Sequence, residues 1–108
     1  MKCWEIKFLQ EAEKDRDALE SSVRSHVDKA IGKVSQNPLP KSEGGYGSPL
    51  GHKHGRNLTG LLRIKLKKSG IRVVYKLVRE KETMRIVVIA ARADSEVYEI
   101  AGDRIGRA

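Results

Sequence analysis

Apolar and polar residues alternate over Trp4-Glu5-Ile6-Lys7-Phe8, the period-two pattern of a short strand with one buried face. From Gln10 to Gln36 the period changes. Ala12, Leu19, Val23, Val27, Ala30, Ile31 and Val34 recur mostly at helical spacing, with charged residues between them. Ser21-Ser22 interrupts this stripe and can cap a new start, so two consecutive helices sharing one apolar stripe are predicted. His26 lies beside the stripe and reads as structural. Asn37-Pro38-Leu39-Pro40 then stops the helix, because neither proline supplies a backbone donor.

Lys41 to Gly60 carries six glycines and Pro49 with almost no apolar periodicity. It reads as a long loop, either functional or merely exposed. Leu61 to Leu77 reads as strand, turn at Ser69-Gly70, and strand. With Ser69-Gly70 as the two turn residues, Lys67 would lie opposite Arg72, Lys65 opposite Val74, and Arg63 opposite Lys76. Alternation then gathers Arg63, Lys65, Lys67, Arg72 and Lys76 on one face. Leu62, Ile64, Leu66, Val73, Tyr75 and Leu77 occupy the other. One face is apolar enough to receive the helices, and its opposite is a cationic platform. After a turn over residues 79–83, the apolar run from Met84 to Ala91 suits a central strand covered on both sides. Asp94 can cap a terminal helix whose apolar side is Val97, Ile100, Ala101 and Ile105. The expected fold is α+β, in the order β-α-α-β-β-β-α, with a mainly antiparallel four-stranded sheet and the two N-terminal helices packed on one face.

At 108 residues the chain is read as one domain, 1–108, with a single core. No apolar run reaches the length needed to cross a bilayer and no signal peptide precedes the first strand, so a soluble, cytoplasmic protein is expected. The lone Cys3 cannot form an internal disulfide and is expected to pack beside the first strand. The net charge is +8, and its distribution says more than its sum. Residues 1–40 balance seven basic against seven acidic side chains. Residues 41–92 hold thirteen Lys and Arg against Glu43, Glu80 and Glu82, whereas residues 93–108 hold two against four. So local a block of positive charge is a footprint for a polyanion: nucleic acid first, an acidic protein second, a plain solvated surface third.

Two-metal nucleases need clustered carboxylates, which the basic block lacks. His52 and His54 do not have zinc-motif spacing, and no Gly-Lys-Ser/Thr phosphate cradle is present. Neither a metal nor another cofactor is expected. RNA can be cut without one, because its own 2′-OH is the nucleophile. The protein must take that proton, stabilise charge on the phosphate, and protonate the departing 5′-oxygen. Arg63, Arg72 and Arg92 are candidates for the phosphate. Lys65, crowded by cations that disfavour its charged form, is the candidate base. Tyr98 could relay a proton, stack on a base, or simply pack. Lys67, Lys68 and Lys76, with His52, Lys53, His54 and Arg56 of the loop, are candidates for binding the RNA strand.

The stretch from Arg63 to Tyr75 resembles the central hairpin of RelE-type toxins, and Arg92-Ala93-Asp94-Ser95-Glu96-Val97-Tyr98 resembles their closing motif. The predicted order of elements is similar throughout. This resemblance to the RelE/ParE superfamily implies a toxin of a type II toxin–antitoxin system, of the RelE branch. Such toxins cleave messenger RNA in the ribosomal A site, leaving a cyclic phosphate and a 5′-hydroxyl. The implied partners are a cognate antitoxin, messenger RNA and the ribosome with its 16S rRNA. By position, Lys65 resembles the catalytic lysine, Arg72 the phosphate-stabilising arginine, and Arg92 and Tyr98 the late arginine and tyrosine of the site, with Arg63 another basic residue on the same strand. The 41–60 loop is longer than in compact members, and Ala93 and Asp94 replace charged residues of some members. Two other readings stay open: a ParE-like inhibitor of DNA gyrase, and a non-catalytic RNA-binding module.

Overall fold

The alternation at the start of the chain forms β1 (Glu5–Phe8), and the two predicted helices follow as α1 (Gln10–Asp17) and α2 (Ser21–Val34). The structure is a computed structural model describing residues 3–53, 56–91 and 93–107, with the backbone alone at 52, 53, 56, 57, 94, 106 and 107. Strands β2 (Ser48–Lys53), β3 (Arg56–Leu66), β4 (Ile71–Val78) and β5 (Thr83–Ala90) lead into α3 (Asp94–Arg107). They form one sheet in the order β1-β5-β4-β3-β2. β1 runs parallel to β5, and the other neighbours are antiparallel.

The α+β class is as expected, but the sheet has five strands where four were predicted. The added strand, β2, lies inside the glycine-rich segment read as a loop. Its backbone can pair with β3 without apolar alternation because it is an edge strand. Of its described side chains, Leu50 is buried, and Gly51 takes a positive φ of 60°. Such a strand carries no periodic signal.

Neither serine of Ser21-Ser22 caps α2. Glu20 holds the N-cap position and makes no side-chain cap bond, so Ser21 begins the helix. The chain turns there because Arg24 reaches back to the end of α1. Its guanidinium donates to the carbonyls of Arg16, Asp17 and Leu19 at 3.2, 3.1 and 2.8 Å, at a helix end where Arg16 O also accepts the Leu19 N–H at 3.1 Å. Arg16 also grips Asp28 through two hydrogen bonds of 2.8 and 2.7 Å, tying α1 to α2.

The first half of the expected loop is held against the sheet. The Tyr75 hydroxyl donates to Pro38 O at 2.8 Å, and burial raises its pKa. Gly47 N–H donates to Leu39 O and Tyr46 N–H to Asn37 O, both at 3.0 Å. A Cβ on Gly47 would lie 2.4 Å from both Tyr75 Oη and Leu62 Cδ2, so glycine lets this segment seal the tyrosine. Glu43 and Arg79 clamp its exposed side with bonds of 2.7 and 2.9 Å.

The core has two layers, one on each face of the sheet. On one, Val27, Ile31 and Val34 of α2 meet Leu62, Leu66, Ile71, Val73, Tyr75, Met84, Ile86 and Ile89. On the other, Val97, Tyr98 and Ala101 of α3 meet Leu50, Leu58, Leu61, Val74, Val87 and Val88. β5 is covered on both faces, as its continuous apolar run predicts. The face expected to be a cationic platform is therefore crossed by α3, and its cations lie beyond the helix. Cys3, expected to pack, is exposed.

Candidate functional site

Leu66 pairs with Ile71, so the hairpin turn comprises the four residues 67–70 rather than two. The register differs by two from the prediction: Lys65 faces Arg72, Arg63 faces Val74, and Leu61 faces Lys76. A shift of two preserves side-chain parity, and the predicted cations of the paired strands still share one face. Gly70, at φ 70°, supplies the left-handed residue that closes the turn. Lys67 and Lys68 sit exposed on that turn beside the Lys65–Arg72 pair.

Within this end of the sheet Lys65 is exposed and Arg72 half-buried, with Arg72 Nη1 donating to Gly70 O at 3.3 Å. Arg63 is one pair further along, half-buried at the margin of α3. There its Nη1 donates a hydrogen bond to the Tyr98 hydroxyl. Tyr98 is only 2% exposed, so its ring offers no surface on which a base could stack. Lys65, Arg72, Arg63 and Tyr98 thus converge from two strands and a helix, leaving an open cationic surface at the mouth of a buried phenol.

The other candidates are not part of this cluster. Lys76 is exposed two pairs away, four residues along each strand or about 13 Å. Lys53 and Arg56 close the far end of the β2–β3 hairpin, next to the His52–Asn57 pair and nine residues along β3 from Lys65. Arg92 and His54 lie outside the described residues. Among the described residues, no group of three His, Cys, Asp or Glu side chains could hold a metal ion, and no helix is long and apolar enough to cross a membrane.

The position of α3 depends on residues that periodicity did not single out. β1 ends at Phe8, opposite Ile86, which leaves the last half of β5 without a neighbour on that side. Val87 is an extra residue in β5, since Val74 pairs with Val88 and Tyr75 with Ile86. Arg104 Nη1 donates to Val87 O at 2.9 Å and to Asp15 Oδ2 at 2.7 Å, while Asp15 Oδ2 accepts the Ile89 N–H at 3.1 Å. Two charged side chains replace the missing strand, satisfy edge groups that burial would otherwise strand, and tie α1, β5 and α3 together. Nothing in local spacing announces a contact between residues 89 positions apart.

No family model matches the chain. It is 31% identical over 100 residues to the mRNA interferase toxin RelE of Escherichia coli (strain K12), covering 93% of this chain and 95% of that one. It is 26% identical over 103 residues to a RelE-like toxin protein of Escherichia coli. Among solved structures, a double arginine-to-alanine variant of E. coli RelE in the free state superimposes with a TM-score of 0.76 at 28% identity, covering 96% of this chain and 99% of that one. The same variant in complex with a peptide of the antitoxin RelB gives 0.69 at 27% identity, over 93% and 95% of the two chains. The RelBE2 toxin–antitoxin complex of Mycobacterium tuberculosis gives 0.66 at 25% identity, over 87% and 97%. The sequence match over nearly the whole of both chains, with the same fold beneath it, places this chain in the RelE family of toxins.

Proposed function

We propose that this protein is the toxin of a type II toxin–antitoxin pair, a metal-independent endoribonuclease that cuts messenger RNA in the ribosomal A site. The observation that carries the reading is the cross-strand pair of Lys65 and Arg72 beside the Arg63–Tyr98 hydrogen bond, in a chain whose relatives are named mRNA interferases. Lys65 Nζ takes the proton from the 2′-OH, whose oxygen attacks the adjacent phosphorus. The P–O5′ bond breaks as the 2′,3′-cyclic phosphate forms, and the 5′-oxygen leaves as a hydroxyl after receiving a proton. Arg72 and Arg92 neutralise the charge that builds on the non-bridging oxygens. Tyr98, wired to Arg63, relays the proton to the leaving oxygen. Lys67 and Lys68 hold the strand at the rim of the site.

The partner that restrains this activity is a cognate antitoxin, consistent with the RelB peptide seated on E. coli RelE. The toxin acts in the cytoplasm, on the ribosome and its 16S rRNA. The test is to induce the wild type and a Lys65→Ala/Arg72→Ala variant in bacteria and map the 5′ ends of a reporter messenger RNA. New 5′-hydroxyl ends within translated codons, seen with the wild type alone, are expected. Growth arrest with intact messenger RNA would overturn the proposal in favour of gyrase inhibition, and RNA binding without scission would leave a binding module.

A further inference from the structure

Lys7, Arg85 and Lys76 form a row across three adjacent strands. Lys7 of β1 pairs directly with Arg85 of β5, and Arg85 pairs directly with Lys76 of β4. Directly opposed side chains are about 5 Å apart at Cβ, and like charges at such positions destabilise a sheet. Lys7 and Lys76 are exposed and Arg85 is half-buried. Among the described residues Lys7 meets the Glu5 carboxylate, 3.2 Å from its Nζ, with both side chains 62% exposed. A contact so open to water is weak and easily exchanged. The fold thus holds three cations side by side, and the carboxylate that meets Lys7 is loosely held.

The row is on the face that carries Lys65 and Arg72, but not in their cluster. Between the two groups lie Val74, Val87 and Val88, covered by Val97, Tyr98 and Ala101 of α3. Two cationic surfaces flank one helix, about 13 Å apart along the strands. An RNA cut at the first would meet the second with another part of its backbone.

The composition of the row decides between a nucleic acid and an acidic protein. A protein interface is organised around buried apolar or aromatic anchors. Its neighbour in the same cross-strand line, Leu61, is 4% exposed and turned into the core. Among the described residues the one large hydrophobic side chain that is exposed is Tyr46, which belongs to the segment sealed over Tyr75. A surface of charge without anchors fits a phosphate backbone, which is bound by charge and counterion release.

We propose that Lys7, Arg85 and Lys76 form a second RNA-binding surface, separate from the cleavage site, which grips phosphates of the strand outside the scissile step. The proposal rests on the ribonuclease reading for its choice of RNA. Its test is the anisotropy of a labelled, 2′-O-methylated single-stranded RNA, which can bind but cannot be cut, titrated over a range of salt. A Lys7→Gln/Lys76→Gln/Arg85→Gln variant is compared with the wild type and with Lys14→Gln/Lys29→Gln/Lys81→Gln, which removes the same charge elsewhere. The row variant should lose about 2 from the slope of log affinity against log salt, the value for three phosphates on a single strand, and bind about tenfold more weakly. The control should change by less than about twofold.

Equal losses in both variants, or no loss in either, would overturn the surface. So would retention of RNA binding alongside lost binding to polyglutamate, which would point to an acidic protein. Cleavage is scored separately from messenger RNA 5′ ends. A protein that cuts RNA, but whose row variant binds as the wild type does, refutes this surface alone. Row-dependent binding by a protein that cuts nothing supports the surface and refutes the ribonuclease reading.

Discussion

The guanidinium of Arg63, on β3, donates a hydrogen bond to the hydroxyl of Tyr98, on α3, so the buried phenol and the open cationic surface belong to one unit. The ring of Tyr98 fills the core under α3, and its hydroxyl meets Arg63. Tyr98→Phe keeps the packing and deletes only the oxygen. Cleavage should fall by about 10²- to 10⁴-fold, the usual contribution of a positioned proton-transfer group, with the thermal midpoint lowered by no more than the loss of one hydrogen bond, about 1 kcal/mol. Single-turnover cleavage and a melting curve of the same preparation check this. Unchanged cleavage would reduce Tyr98 to a packing residue.

Arg104 and Asp15 stand in for a strand along the edge of β5. Arg104→Leu would leave the Asp15 carboxylate partly buried without its cation and strip Val87 O of its donor. Loss of one partner from such a pair, 14% and 21% exposed, should cost about 2 kcal/mol, somewhat less than for a fully buried pair. That corresponds to a fall in midpoint of about 10 °C for a domain of this size. Asp15→Asn should cost less, because an amide oxygen can still accept the Ile89 N–H. Denaturant unfolding of both variants measures the difference.

Gly47 seals Tyr75 because it lacks a side chain. Gly47→Ala would drive a methyl group to 2.4 Å from Tyr75 Oη and Leu62 Cδ2, and the segment must move. Overpacking of this kind should cost about 1–3 kcal/mol. Adding Tyr75→Phe to the alanine variant relieves one of the two clashes, so the double variant should lose less than the sum of the single changes. Chemical denaturation of the four proteins in the cycle tests the coupling.

The hydrogen bonds from Arg16 hold the Asp28 carboxyl below its ordinary pKa; burial opposes them, and the charges of Arg16 and then Arg24 add to the lowering. A carboxyl whose pKa is depressed by folding contributes stability above its unfolded value, about 3.9, and loses it as the pH falls through the folded value. Asp28→Asn should therefore be less stable than the wild type at neutral pH, by about 1 kcal/mol for a half-exposed pair. The difference should vanish in strong acid. Glu43, held low first by its hydrogen bonds to Arg79, titrates in the same window in both proteins and drops out of the comparison. Urea midpoints from pH 7 down to acid pH provide the curve.

Periodicity alone identified β1, both N-terminal helices, β3 from Leu61 onward, its partner β4, the doubly covered β5 and the terminal helix, whereas residues 56–60 of β3 fell in the segment read as a loop. In each, a regular alternation of apolar and polar residues reflects which side meets the core. Side-chain parity likewise placed Arg63, Lys65 and Arg72 on one face, and that placement survived a register error of two residues because the period of a strand is two. The turn length itself was not readable, since residues 67–70 and a two-residue turn at Ser69-Gly70 satisfy the same parity. β2 was hidden because an edge strand can be held by backbone bonds, with Leu50 the buried apolar residue among its described side chains. The long-range relationships were decided only by tertiary structure: Arg63 with Tyr98, Arg104 with Asp15 and the β5 edge, Tyr75 with Pro38 and Gly47, and the alignment of Lys7 with Arg85 and Lys76. Each joins residues far apart in the chain, and local spacing records which face a side chain occupies, not which distant residue folding will bring beside it.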